Sequence, residues 1–244
     1  MADQGPYYAE VFAAHYDDWF PSYVTDSTLE RLAALTEVAG PGPLLELGCG
    51  TGRVALPLAG RGLDVHGIEG SSEMTDRLRA KPGGHEITVT AGDFSDVPVD
   101  GPFSLVYVVN GTFFELPTQS AQARCFANTA ARLRPGGLFV LDAHVPEALA
   151  APTAAVATLP IPGGVTVRLR QIDRANQRYT SHYLVVDGED VHRVPVAFRY
   201  ASTGELDLMA ATAGLRLRER FGTWAGGAYT SASSYHVSVY ERPA

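Results

Sequence analysis

Residues 44–52 read LLELGCGTG, a glycine-dense turn that leaves few folds open to the chain. A short apolar run leads into Gly48, Gly50 and Gly52, and a helical pattern follows within a few positions. A strand that turns into a helix this abruptly needs residues without Cβ, both to adopt positive φ and to let a ligand approach the backbone. The pattern therefore points to an α/β protein with a nucleotide-type site at the end of its first strand. A dinucleotide-binding turn would place a third glycine five residues after the first. Position 53 is Arg, which counts against a nicotinamide oxidoreductase.

Apolar runs at 44–47, 65–69, 87–91, 105–109 and 138–142 alternate with helical segments at 52–60, 72–79 and 118–133. Unbroken apolar strands separated by helices form a parallel sheet covered on both faces. Pro57 is expected to bend the first helix near its start, and Pro135-Gly136-Gly137 to stop the third. Upstream, residues 8–20 carry aromatic side chains at helical spacing, and Ser27 with Glu30 suggests a capping box for a second helix.

After Asp142 the pattern changes. Residues 151–164 read as a linker, and 165–173, 178–186 and 191–200 alternate apolar and polar residues as half-exposed antiparallel strands do. A helix at 205–213 and two closing strands, LRLRERF and YHVSVYE, complete the chain. The division expected is a helical lid at 1–40, a core at 41–150 and 201–244, and an inserted antiparallel sheet at 151–200.

Formal net charge is −8, which disfavours an extended phosphate-binding face and hence nucleic acid. The two cysteines, Cys49 and Cys125, are too few for a disulfide framework. The N-terminal MADQGPYYAEVF lacks the charge and apolar run of a signal peptide, and no stretch has the length of a membrane span. A cytoplasmic protein with no membrane partner is the expectation.

Three further motifs follow the glycine turn. HGIEGSSEM ends a strand on Glu69 and Gly70, about twenty residues on, where a carboxylate accepts hydrogen bonds from both ribose hydroxyls. AGDF places Gly92, Asp93 and Phe94 after the third strand, with Asp93 able to accept from an adenine amine and Phe94 to cover an apolar face. FSLVYVVNGTFFEL ends the fourth strand near Val109 and Asn110, and LRPGGLFVLDAH the fifth.

In this order the motifs resemble those of class I S-adenosylmethionine-dependent methyltransferases. The resemblance implies a Rossmann-like α/β fold with a mostly parallel seven-stranded sheet between helices and a small antiparallel sheet inserted after strand five. It implies S-adenosyl-L-methionine as cofactor, with Glu46 near its amino acid moiety, Met74 packed near the adenine, and Val109 and Asn110 near its methionine part. Asn110 is followed by Gly-Thr-Phe rather than the Pro-Pro-aromatic of enzymes that methylate nucleic acid bases. The inserted sheet, with GELDLMAATAGL, is similar to that of natural-product N-methyltransferases, the amino-sugar and cypemycin-type peptide N-terminal groups. AHYDDW resembles their N-terminal element, whose tyrosine, here Tyr16, closes over the cofactor.

The implied reaction transfers a methyl group to a nitrogen of a small molecule or peptide terminus. An oxygen acceptor is one alternative, and a non-catalytic S-adenosylmethionine-binding partner protein another. Loss of a proton from the acceptor calls for a general base. His144, just past the fifth strand, has the best address, with His182, Tyr183 and His236 as rivals. Oxygen ligands for a metal reduce to Asp142 and Asn110, so no metal is expected. Pocket walls are expected from the N-terminal aromatics (Tyr7, Tyr8, Tyr16, Trp19, Phe20), Phe113-Phe114, the inserted sheet and residues 224–233. The inserted sheet either covers the site or pairs subunits in a homodimer.

Overall fold

The computed structural model describes residues 12–20, 24–149 and 156–244. Tyr7 and Tyr8, with the first part of the expected N-terminal helix, lie outside them. Within them α1 (Ala13–Trp19) and α2 (Asp26–Ala39) precede β1 (Leu44–Leu47), α3 (Ala55–Ala59), β2 (Val65–Glu69), α4 (Ser72–Ala80) and β3 (Thr88–Ala91). β4 (Phe103–Val108), α5 (Gln119–Arg132), β5 (Leu133–His144) and α6 (Pro146–Leu149) follow. The next four strands are β6 (Val156–Ile161), β7 (Gly164–Asp173), β8 (Arg178–Asp187) and β9 (Asp190–Arg199); α7 (Thr203–Thr212), β10 (Arg216–Phe221) and β11 (Tyr235–Glu241) end the chain.

Seven strands form one sheet in the order β10-β11-β5-β4-β1-β2-β3, parallel except at β10 and β11. β1 and β4 are buried along their whole length, as their apolar sequences require when helices cover both faces. β1 pairs with β2 on one side and β4 on the other, so connections leave in opposite directions from this point. Ligands of open α/β sheets bind at such a reversal, beyond the carboxyl ends of the strands.

Four strand expectations required correction. Residues 156–161 form β6, inside the expected linker, so the second sheet has four strands, β6-β7-β8-β9, instead of three. Pro160 and the mixed small residues hide its pairing with β7, which runs from Val156 with Leu169 to Ile161 with Gly164. Pro135-Gly136-Gly137 does not end α5, which stops at Arg132; these residues begin β5 and exchange backbone bonds with Arg242. The third and fourth strands span Thr88–Ala91 and Phe103–Val108 rather than 87–91 and 105–109.

Two helix starts also differ. The N-cap of α2 is Thr25, paired with Thr28 across the first turn, and not Ser27, because Thr25 is the last residue in extended backbone. α3 begins only at Ala55, since Gly52 holds φ +81 in the turn itself. Pro57 is then the third helical residue, where its missing N–H has no intrahelical partner to lose.

The small sheet is tied to both α1 and the core. Thr166 Oγ1 donates to the Trp19 carbonyl at 3.0 Å, and Trp19 Nε1 donates to Asp187 Oδ2 at 3.1 Å. On the core side Arg199 bridges Glu205 at 2.6 Å, and Gln122 Nε2 donates to the Arg199 carbonyl at 2.8 Å. No helix among the described residues is long and apolar enough to cross a membrane.

Candidate active site

The carboxyl ends of β1 and β2 open onto a narrow cleft. Gly48, Gly50, Glu69, Gly70, Met74 and Phe94 line it, together with Tyr16 from α1 and Thr112 and Glu115 from the segment after β4. Glycine serves two purposes in the turn. A Cβ on Gly50 would meet nothing within 4 Å, so its backbone faces the open cleft at φ +52. A Cβ on Gly52 would lie 2.9 Å from Leu56 and 3.0 Å from Leu78, so that glycine lets helices α3 and α4 pack against the turn.

Glu69 is clamped by backbone amides. Gly50 N–H donates to Oε2 at 2.8 Å and Ser71 N–H to Oε1 at 2.9 Å. Burial pushes its carboxyl above the usual range while these amides oppose the shift. Both oxygens keep lone pairs directed along the cleft wall, which suits a vicinal diol. Gly50 backbone, this clamped acceptor and the apolar walls of Met74 and Phe94 fit an adenine nucleoside bearing a short polar tail.

Tyr16 is held over the cleft by a cluster of ions. Asp17 accepts from Thr51 Oγ1 and Arg53 Nε, both at 2.8 Å, and pairs with Lys81 at 2.7 Å. Against the cost of burial, these bonds hold the Asp17 carboxyl below its ordinary value. Arg53 also donates to the Tyr16 carbonyl at 2.9 Å and lies 4.4 Å from the centre of the Tyr16 ring. The residue that excludes a third dinucleotide glycine thus fastens α1 to the glycine turn. Burial raises the Tyr16 phenol to about 12, so it stays protonated.

A larger cavity of about 570 Å³ lies between the core and the small sheet. His144, Trp224 and Tyr235 form its core-side wall; Arg168, Arg170, Tyr179 and Tyr183 come from β7 and β8. A smaller space joins it to the cleft: Tyr16, Thr112 and Glu115 border that space and the cleft, while Asn110, Tyr183 and Phe198 border that space and the cavity. Glu115 therefore stands at the junction. Burial, and secondarily the charge of Glu69, raise its carboxyl to about 7.

Asp142 braces the junction from below. Its Oδ1 accepts from Gly111 N–H at 2.7 Å, and its Oδ2 from Asn110 N–H at 3.1 Å and Trp224 Nε1 at 2.9 Å. The Tyr235 hydroxyl is a further partner. Asn110, at φ +60, is thereby held in left-handed backbone.

A methyltransferase domain model matches residues 44–137. The cypemycin N-terminal methyltransferase of Streptomyces sp. is 30% identical over 241 residues, covering 91% of this chain and 98% of that protein. The solved structure of the CcbJ methyltransferase from Streptomyces caelestis has a TM-score of 0.86 at 34% identity, covering 97% of this chain and 98% of that one. The chain is a class I S-adenosylmethionine-dependent methyltransferase. The sugar N-methyltransferase KedS8 from Streptoalloteichus sp. shares the fold of this methyltransferase, with a TM-score of 0.68 at 22% identity over 97% and 94% of the two chains.

Of the residues expected to hold the cofactor, the methyltransferase brings seven to the cleft: Tyr16, Gly48, Gly50, Glu69, Gly70, Met74 and Phe94. Others lie behind it. Glu46 is buried under the turn, accepting from Tyr107 at 3.3 Å, and burial raises its carboxyl to about 8. Val109 packs in the core, and a Cβ on Gly92 would press on Pro98 at 2.9 Å. Asp93 Oδ1 accepts from Ser95 N–H at 2.8 Å beside the cleft, and Asn110 borders the joining space.

His144 lines the large cavity, but burial and the charges of Arg170 and Arg168 lower it to about 4. Among its rivals Tyr183 lines the same cavity, whereas His236 is buried against Ser238 at 2.9 Å. His182 lies on the exposed side, near Arg193 at 3.4 Å. Phe113 and Phe114 are fully buried core residues and form no pocket wall, a correction to the sequence reading. Glu115 and the bracing role of Asp142 were missed there. A carboxylate just after the Phe pair was the available signal for Glu115.

Proposed function

We propose that this methyltransferase transfers the methyl group to an amine nitrogen of a small molecule or peptide terminus in natural-product biosynthesis. The observation that carries this reading is the match, over nearly the whole length of both chains, to a protein that methylates a peptide N-terminus. The cofactor supplies an electrophilic methyl on a sulfonium. In the proposal Glu69 holds the ribose hydroxyls, Asp93 the adenine amine, Met74 and Phe94 the adenine faces, and the Gly48–Gly50 backbone the remainder, with Tyr16 closing over it. Glu46, Gly52, Gly92 and Val109 shape the turn and strand ends from behind, and Asn110 orients the acceptor.

An acceptor that arrives as an ammonium must lose a proton to expose its lone pair. Glu115 stands between cleft and cavity, and its value near 7 is suited to a general base at neutral pH. His144 is uncharged at that pH and serves as a hydrogen-bond acceptor in the cavity wall. Holding the amine in line with the methyl contributes several kcal/mol, up to about 7–11 in well-oriented cases.

The test offers matched primary amines and alcohols, including free N-terminal peptides and amino sugars, with methyl-labelled donor. Methyl recovered on nitrogen, with the alcohols at least about a hundredfold slower, is the expected outcome. Preferential methylation of oxygen would overturn the nitrogen assignment.

A further inference from the structure

The large cavity has a charge composition unlike the rest of the molecule. The chain carries 27 acidic and 19 basic Lys and Arg residues, yet two arginines and no Asp or Glu are among the described residues lining this space. Several arginines elsewhere are matched to carboxylates, such as Arg53 with Asp17, Arg124 with Asp96, Arg199 with Glu205 and Arg220 with Asp207. Arg168 has no carboxylate partner among the described residues, and its Nε is buried without a hydrogen-bond partner. A guanidinium donor in that state is costly unless something arrives to accept from it.

The small sheet aims these charges inward. Arg168 and Arg170 are two residues apart on β7 and so share one face. Arg168 stands between Ala157 of β6 and Tyr183 of β8 in the register, and all three line the cavity. The small Ala157 leaves the guanidinium room on that side. Arg170 lies 5.2 Å from the centre of the Tyr179 ring, a contact that restricts its direction. His144 on the opposite wall is lowered first by burial and then by the charges of both arginines, in keeping with guanidinium groups that face it across the cavity.

We infer that the methyl acceptor carries an oxyanion, a carboxylate or a phosphate ester, which Arg168 and Arg170 hold while its nucleophilic end reaches toward Asn110 and Glu115. A planar guanidinium makes paired hydrogen bonds to either group, and the apolar and aromatic walls take the body of the molecule. This inference rests on the proposed amine acceptor for its second half, since it describes a zwitterion precursor with its amine and anion at opposite ends of one cavity. The anion site itself is independent of which atom receives the methyl.

The test uses the full chain saturated with S-adenosylhomocysteine and follows the fluorescence of Trp224, which lines the cavity. The probes are 4-phenylbutyrate, its neutral amide and phenyl phosphate. The carboxylate is expected to bind about tenfold or more tightly than the amide, the magnitude of a charge-assisted hydrogen bond. Added salt should narrow that gap, Arg168→Gln should cut it at least about threefold, Arg168→Gln combined with Arg170→Gln should abolish it, and Arg168→Lys should retain part of it. Unchanged affinity for S-adenosylhomocysteine in the variants reports that they are folded, and the salt dependence of wild type serves if Arg168→Gln does not fold. Tighter binding of phenyl phosphate than of 4-phenylbutyrate assigns the anion as a phosphate ester, and the reverse assigns a carboxylate. Equal affinity for acid and amide in wild type, or a preference undiminished in folded Arg168→Gln or surviving in the folded double variant, overturns the inference. None of these titrations requires methyl transfer, so they fail or succeed separately from the nitrogen assignment.

Discussion

Asp142→Ala is expected to lower the melting temperature by about 6–12 °C, the consequence of losing about 3 kcal/mol in a chain of this size. The carboxylate is buried and accepts from the amides of Asn110 and Gly111 and from the Trp224 indole, with Tyr235 as a fourth partner. Alanine leaves all four donors without this acceptor, and an abandoned buried donor costs about 1–3 kcal/mol. Burial pushes the Asp142 carboxyl above its ordinary value, so its own desolvation offsets part of the loss and keeps the net below the sum. Asp142→Asn retains one acceptor oxygen and the side-chain shape, and should lose roughly half as much. Calorimetric melting of the three proteins checks this. A change under about 1 kcal/mol in the alanine variant would mean that Asn110 and Trp224 are held by something else.

The second large effect concerns the rate. Glu115→Gln should lower kcat/KM by about a hundredfold or more, the usual contribution of a positioned general base. The sign of the pH dependence follows from the ionised form being the base. In wild type the rate should rise with pH through about 7 and then level, because Glu115 is protonated below that value. Glutamine cannot take the proton, so the variant should lose that limb. His144→Gln should cost less than about tenfold, since an imidazole lowered to about 4 gains little from proton transfer at neutral pH. Equal losses in both variants, or a limb that persists in Glu115→Gln, would return the proton to another group.

The parts of this molecule readable in sequence are those whose physics is local. β1 and β2 lie at the bounds their sequences predict, because short, mainly apolar runs that end on a glycine admit little else. Glu69 and Gly50 were legible for the same reason, as turn and strand end are set within a few residues. The parts missed depend on partners far along the chain. β6 is a strand only because β7 lies beside it, and Pro160 with its small residues carries no clear apolar alternation of its own. Asp142 gave no sign that it would hold residues 32 positions before it and 82 after it. Arg53 was read as a missing glycine, and its use in fastening α1 through Asp17 depends on a contact spanning 36 positions. Glu46, expected by resemblance at the cofactor, is buried beneath the turn, a distinction of depth that periodicity along β1 does not carry.

In the proposed reaction two sites act together: a cofactor cleft built by the parallel sheet and an acceptor cavity walled by the inserted one. Calorimetric titration of S-adenosylhomocysteine into wild type, Glu69→Ala and Arg168→Gln separates them. This two-site arrangement predicts at least about tenfold weaker binding in Glu69→Ala, from lost hydrogen bonds to a charged acceptor, and unchanged binding in Arg168→Gln. Undiminished affinity in Glu69→Ala, or a loss confined to Arg168→Gln, would contradict it.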